Sequence, residues 1–357
     1  MSPQIADRTI DTRNCLSVCL TEESPENTGT HKKETKMDTQ NIREIDESTF
    51  LIDLELFGIR RAGAAYFLKA NKSCLIDSGT HTEAKNIIKA LDSLGLFPPD
   101  ILILTHSHFD HSQGTPVLCR EAEKRNQKIA VMASEKAVTN LKDQSWNRVF
   151  DEKHKFENIA EVEPLRDGQT VDLDGLELKI MDFSGHCADD IAIYDERKKT
   201  VFVGDSVGYL VENVLIFPPF MPPFWNPDGF KSAANRLKRL ECERICLAHF
   251  GCLKGKEAQN FPDNTIKAYE TWWKVFAEAD KGGKLDDVKY LKETLIGEAE
   301  LVIPDLEVTK TSIKMMLAII NRFRKILGKQ PIKVAEVQLK TIIGWLTKGY
   351  RTYSTGT

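Results

Sequence analysis

From residue 42 onward, short apolar runs alternate with longer stretches in which apolar side chains recur at helical spacing. Residues 49–57, 64–68, 74–76 and 101–104 are compact runs rich in Ile, Leu, Phe and Ala and read as strands, whereas 83–94 and 116–126 read as amphipathic helices. A strand over 129–132 and a short helix from Ser134 continue the alternation, and the polar stretch 143–158 is expected to form an insertion or lid. Strands over 170–173, 176–182, 191–194 and 200–203 follow, separated by Asp-Gly and Lys-Lys turn signals. A helix over 227–240 and a strand over 244–248 close this second half. Each sheet must bury one face, so the expectation is an α/β fold of two αβ halves whose mixed sheets pack together.

After Phe261 the strand signals cease and helices are expected near 263–280, 284–299, 309–327 and 333–349. Ile313, Leu317, Ile320 and Leu327 mark one apolar face there, suited either to capping a site or to joining two subunits. Residues 1–40 are rich in Thr, Glu, Asn, Lys and Ser with no apolar period, the composition of a disordered tail. The division read from these patterns is a tail over 1–40, a catalytic domain over 41–262 and an all-helical C-terminal module over 263–357.

The 49 basic and 53 acidic side chains leave a formal charge of −4, with no global footprint of nucleic-acid binding. Eight scattered cysteines form no compact pairing framework, and Cys242, Cys246 and Cys252 are spaced too irregularly for a zinc knuckle, so buried, reduced thiols are expected. Cys15 and Cys19 lie in the tail. No apolar run approaches the roughly 20 residues of a membrane span, and the N-terminus lacks a secretory apolar core, which points to a cytoplasmic setting.

The chemistry concentrates in Thr105-His-Ser-His-Phe-Asp-His111, immediately after the apolar run 101–104. Three imidazoles and a carboxylate within six positions are costly to bury unpaired but serve well as ligands for borderline cations. In an irregular turn His106 and His108 can point one way and Asp110 and His111 another, which suits two metals. Further candidates stand at three strand ends or turns, at His186 in Ser-Gly-His, Asp205 in Val-Gly-Asp and His249 in Leu-Ala-His-Phe-Gly. Any one of these histidines alone would be read as a core residue with a satisfied hydrogen bond. Seven ligand-type residues after strand-like runs read as a metal site, while His31, His81 and His154 sit in polar or helix-start contexts and are left out.

This pattern, HxHxDH at 106–111 followed by a Gly-His, a Gly-Asp-Ser and a final His, resembles the metallo-β-lactamase-fold superfamily over about residues 42–260, and its glyoxalase II-like and lactonase-like branch in particular. The resemblance implies a four-layer αβ/βα sandwich. It implies one divalent metal on His106, His108 and His186, a second on Asp110, His111 and His249, Asp205 bridging them, and Asp77 in Leu-Ile-Asp-Ser-Gly supporting the ligand loop. Two metals lower the pKa of a shared water from about 15.7 towards 7, and the resulting hydroxide would attack a thioester, ester or lactone. Zinc is the expected ion, with iron or manganese as alternatives. Asp110 is placed at the reacting water, and Tyr209, four residues after Asp205, could meet the substrate oxyanion as a tyrosine does in related lactone hydrolases.

Two other chemistries of the same superfamily remain as alternatives. Iron-dependent redox relatives either oxidise persulfides at one iron, which would not require His249, or bind oxygen at two irons with Glu in place of His108 and a flavin domain. A phosphodiesterase branch shares HxHxDH. In glyoxalase II-like enzymes tandem glycines often follow the motif, whereas here the residues are Ser112-Gln113-Gly114. The aromatic and proline-rich stretch 217–225 is expected either to wall a small-molecule substrate or to brace the loop. Between Lys310 and Arg351 ten Lys or Arg accompany one acid, Glu336, a solvated helix face or a dock for an acidic partner, membrane surface or nucleic acid.

Overall fold

Successive side chains of a strand face opposite ways, so a strand that is apolar at every position needs cover on both sides. The run Ile101–Leu104 is such a strand, with Ile101 and Ile103 in one core and Leu102 and Leu104 in another. A computed structural model of the chain, describing residues 41–152, 154–212, 215–298 and 304–354, shows what supplies the cover. Strands β1 (Ile42–Asp46), β2 (Thr49–Asp53), β3 (Ala64–Leu68), β4 (Cys74–Ile76), β5 (Ile101–Leu104), β6 (Ala130–Ser134) and β7 (Glu163–Leu165) form one sheet in that order. It is antiparallel as far as β4 and parallel from there on.

A second sheet has the order β15-β14-β11-β10-β9-β8, built from β8 (Thr170–Asp172), β9 (Glu177–Asp182), β10 (Ile191–Asp195), β11 (Thr200–Phe202), β14 (Arg244–Leu247) and β15 (Gly251–Lys254). Between β11 and β14 in sequence, β12 (Tyr209–Val211) and β13 (Leu215–Phe217) make a separate hairpin. The inner faces of the sheets share one core, in which Tyr66, Ile76 and Ile103 meet Ile180, Ile193 and Phe202. Helices α1 (Ala84–Ser93) and α3 (Thr115–Lys124) cover the outer face of the first sheet through Ile87, Leu91 and Leu118. Helix α5 (Pro227–Arg239) and the start of α6 (Lys256–Lys281) cover the second through Ala233, Leu237 and Phe261. The result is the expected αβ/βα order of four layers. Helix α5 begins where Asn226 accepts hydrogen bonds from the N–H groups of Asp228 and Gly229, with Pro227 in the first turn.

Helix α6 runs on past Pro262, so one helix serves two cores, since Tyr269, Trp272 and Phe276 join Leu291, Leu295 and Ile343 in an aromatic-rich cluster beyond the sandwich. That cluster is shared with α7 (Val288–Glu298) and α9 (Val334–Ser354), whereas α8 (Thr311–Ile326) contributes no buried side chain. Helix α9 lies directly on the loop after β13, where a Cβ on Gly349 would stand 2.1 Å from the Phe220 carbonyl oxygen. Among the described residues no helix is long and apolar enough to cross a membrane.

Some element boundaries differ from the sequence expectation for local reasons. The strand expected over 49–57 ends at Asp53, whose carboxylate accepts the N–H groups of Glu55 and Arg61 and turns the chain. Strand β15, with Gly251 and Lys254, and the Glu-Pro-Leu strand β7 carry too little apolar pattern to be seen in isolation. The tail over 1–40, with His31, Cys15 and Cys19, lies outside the described residues.

The two sheets are also tied by charge. Asp46 on β1 accepts from Lys198 Nζ at 2.6 Å and from Arg244 Nη1, on β14, at 2.9 Å. Burial pushes this carboxyl up, but donation from Lys198 and the Ser48 N–H outweighs it and holds the pKa below the ordinary value. A depressed folded-state pKa stabilises at pH values above the unfolded carboxyl pKa of about 3.9 and loses that contribution as pH falls through the folded value. Asp46→Asn is therefore expected to lower unfolding free energy by about 1–2 kcal/mol at pH 7, measured by urea denaturation. The gap to the parent should close as the pH is taken below the folded pKa.

Candidate metal centre

Strands that run the same way deliver their following loops to the same edge. β4 and β5 are parallel neighbours, as are β11 and β14, and β9 is aligned with β11 through two antiparallel steps. The loops after β4, β5, β9, β11 and β14 carry Asp77, the 105–111 turn, His186, Asp205 and His249 respectively, and the short helix α2 (Phe109–Ser112) presents Asp110 and His111. Close approach of these loops depends on glycine. At Gly204, with φ +53, an added Cβ would lie 2.7 Å from Thr105 Cβ, and at Gly185 it would lie 2.6 Å from Phe230 Cα.

All seven side chains anticipated as ligands converge here. His106, His108 and His186 bring one ring nitrogen each within 4.8 Å of one another, as do the ligand atoms of Asp110, His111 and His249, and those of His106, His111 and Asp205. Asp205 stands between the groups, its Oδ2 at 3.3 Å from His111 Nε2 and 3.7 Å from His186 Nε2, its Oδ1 at 3.5 Å from His249 Nε2. Asp110 Oδ2 is 3.6 Å from His249 Nε2.

The outward-facing nitrogens decide the tautomers. His186 Nδ1 lies 2.8 Å from the Pro219 carbonyl oxygen and His249 Nδ1 lies 2.6 Å from that of Ala62. A carbonyl only accepts, so each Nδ1 must donate and each Nε2 lone pair is turned inward. His111 Nδ1 is held in the same way at 2.9 Å from Asp77 Oδ2, and Asp77 also accepts from the Thr105 N–H and hydroxyl.

A divalent cation fits this set. The Nε2 atoms of His106 and His111 and Oδ1 of Asp205 are buried without a hydrogen-bond partner among the described residues, and His108 brings its Nδ1 to 2.9 Å from His186 Nε2. Inward lone pairs on imidazole and carboxylate at this spacing are the donor chemistry of borderline metals. Burial, reinforced by neighbouring imidazoles, depresses the pKa values of His106 and His108 well below the ordinary imidazole value. Burial also opposes charge on His111 and His249, but the Asp205 carboxylate, helped by Asp110, outweighs it and raises both. The counterpart effect holds Asp205 well below the usual carboxylate range, since His111 and His249 overcome its burial.

Tyr209 is also at the cluster, with its hydroxyl 3.2 Å from His186 Nδ1 and its ring centroid 5.2 Å from that of His249. Burial, then the Asp205 carboxylate, pushes its pKa well up, so the phenol keeps its proton. His186 Nδ1–H is already directed at Pro219, and the Tyr209 hydroxyl meets the Asp205 carboxylate. His81 and His154 are elsewhere, the first exposed and the second against Phe156.

Residues missed from sequence surround the site. Asp189 and Asp190 are fully buried behind the His106 turn, where Asp189 accepts the Ser107 N–H and Asp190 the Cys187 N–H. Their signal was two adjacent acids between Gly-His186 and the apolar run Ile191–Tyr194. Opposite them, a cavity of about 150 Å³ opens from the cluster and is walled by Leu56, Phe150, Met221, Leu339, Ile342 and Trp345 among others. Phe150, from the expected lid, packs between His108 and Trp345.

Known proteins resemble parts of this chain. Hydroxyacylglutathione hydrolase of Methylobacterium sp. (strain 4-46) is 29% identical over 126 residues, covering 35% of this chain and 40% of that protein. Acyl-coenzyme A thioesterase MBLAC2 of Gallus gallus is 24% identical over 218 residues, covering 55% of this chain and 75% of that protein. The chain thus spans two fifths of the length of the first relative. A solved metallo-beta-lactamase superfamily protein from the archaeon Sulfolobus tokodaii shares the fold with a TM-score of 0.52 at 16% identity, over 86% of this chain and 99% of that one. Residues 58–249, more than half of the sequence, match the family model described as the Metallo-beta-lactamase superfamily, and the chain belongs to that superfamily.

Proposed function

We propose that this protein hydrolyses thioesters bearing an apolar acyl group, with two divalent cations, zinc foremost, held by His106, His108 and His186 on one side and Asp110, His111 and His249 on the other, and Asp205 between them. The observation that carries the acyl assignment is the cavity beside the cluster, whose walls outside the cluster are aliphatic and aromatic apart from Arg61 and Gln338. A cavity of this size accommodates a benzene-sized apolar group. The names of the two relatives, one acting on a hydroxyacyl thioester and one on acyl-coenzyme A, support thioester chemistry, and the apolar wall favours the second kind of acyl group.

Bound cations would supply Lewis acidity and a water ionised near neutral pH. The protein's own groups do the rest. The cavity seats the acyl chain with its carbonyl over the cluster, and Asp110, 18% exposed and lining the cavity, orients the attacking water. The Tyr209 O–H turns from Asp205 to the carbonyl oxygen as negative charge develops there. The water oxygen bonds to the carbonyl carbon, the C–S bond breaks, and the thiolate leaves with a proton from the carboxylic acid or solvent, giving a carboxylate and a thiol. In this reading residues 41–262 are the catalytic domain and the helical residues 263–357 supply the outer wall through α9. A cytoplasmic location belongs to the same proposal.

The acyl assignment predicts that octanoyl-coenzyme A is cleaved with a kcat/KM at least tenfold above that of acetyl-coenzyme A, since each buried CH₂ contributes about 0.8 kcal/mol. Leu339→Trp, which fills the cavity, should erase that ratio. Free-thiol release measures both, and equal rates for the two substrates would remove the acyl assignment. Asp77→Asn, which withdraws the carboxylate holding His111, is expected to weaken metal retention about 10–100-fold in a chelator competition. Unchanged retention would show that His111 needs no such support.

A further inference from the structure

Helix α8 leaves its apolar side in water. Met315, Met316, Ile319, Phe323, Ile326 and Leu327 are 54–74% exposed and recur at the spacing that aligns them in one stripe. The opposite side of the helix is tied to the segment that follows it. Asn321 Nδ2 donates to the Ile332 carbonyl at 3.1 Å, Asn321 Oδ1 accepts the Ile332 N–H at 2.7 Å, and Arg324 Nε donates to the Gln330 carbonyl at 2.6 Å. Between residues 308 and 335 there are seven Lys or Arg and no Asp or Glu, although the whole chain is acidic at −4.

We infer that α8 is a docking helix for an anionic lipid surface. Its aliphatic and aromatic stripe would enter the boundary between headgroups and acyl chains while the flanking cations meet phosphate and carboxylate headgroups. A second copy of the chain fits less well, because a two-fold pairing of α8 sets one cationic segment against an identical one. Nucleic acid would meet the cations and leave the stripe in water. The position adds a reason for the partner to be a lipid. Leu306 before α8 and Ala335 after it line the apolar cavity, and Val308 bridges to Ile59 there, so the segments that flank α8 on both sides adjoin the cavity. Docking itself does not rest on the thioesterase reading.

The test is co-sedimentation of the full-length protein with vesicles of phosphatidylcholine alone and with added phosphatidylserine. Binding to the phosphatidylserine vesicles is expected, at least about tenfold tighter than to phosphatidylcholine, weakening as salt is raised. Ile319→Glu/Phe323→Glu should abolish binding with its melting temperature unchanged, since both side chains are exposed. Arg324→Glu/Lys325→Glu should remove the preference for phosphatidylserine. The inference fails if the parent stays in the supernatant with both vesicle types, or if the Ile319→Glu/Phe323→Glu variant binds like the parent. It fails equally if ultracentrifugation finds a dimer that this variant splits, which would give the stripe to a second copy.

Discussion

Five imidazoles and two carboxylates gathered in one largely buried place is the constraint on which the rest of the structure depends. Such groups lose water on folding, and each must either find a partner or keep a lone pair aimed at a cation. The backbone around them is organised accordingly. Pro219 and Ala62 give up carbonyl oxygens to the outer nitrogens of His186 and His249, and Asp77 serves His111. Parallel pairing of β4 with β5 and of β11 with β14 brings the bearing loops to one edge, and glycine at 185 and 204 lets them touch.

Around this polar floor stands an apolar wall of different origin. The sandwich supplies Leu56 and Met221, the 143–158 segment supplies Phe150, and α9 supplies Leu339, Ile342 and Trp345. Helix α9 packs against the loop after β13 without an intervening side chain at Gly349, and that same loop holds His186 through Pro219. Metal-ligand geometry and the shape of the cavity are thereby coupled through one short stretch, residues 217–225. The sequence left that stretch open as a substrate wall or a brace; in the structure Phe217 and Met221 line the cavity and the Pro219 carbonyl accepts from His186.

The fold and the ligand-type cluster were legible for a physical reason. A strand buried on both faces is an unbroken apolar run, and a His or Asp placed directly after it has few uses other than ligation. What was not legible depends on tertiary contact. Asp189 and Asp190 look like ordinary turn acids until β10 buries them. The apolar face expected on the C-terminal helix was drawn through Ile313, Leu317, Ile320 and Leu327, but the structure turns Ile313 and Leu317 half-inward and exposes the others. The contribution of α9 to the cavity carries no sequence signal beyond its helical period, since its inward residues are those of any packed helix.

The measurement that bears most directly on the central claim is elemental analysis of the purified protein after reconstitution with zinc, beside His108→Ala and Asp205→Ala variants. Near two equivalents of metal are predicted for the parent, close to one for His108→Ala, and little for Asp205→Ala, which loses the group facing both sets. A parent that holds no metal under any loading condition, or variants that load as fully as the parent, would contradict the account.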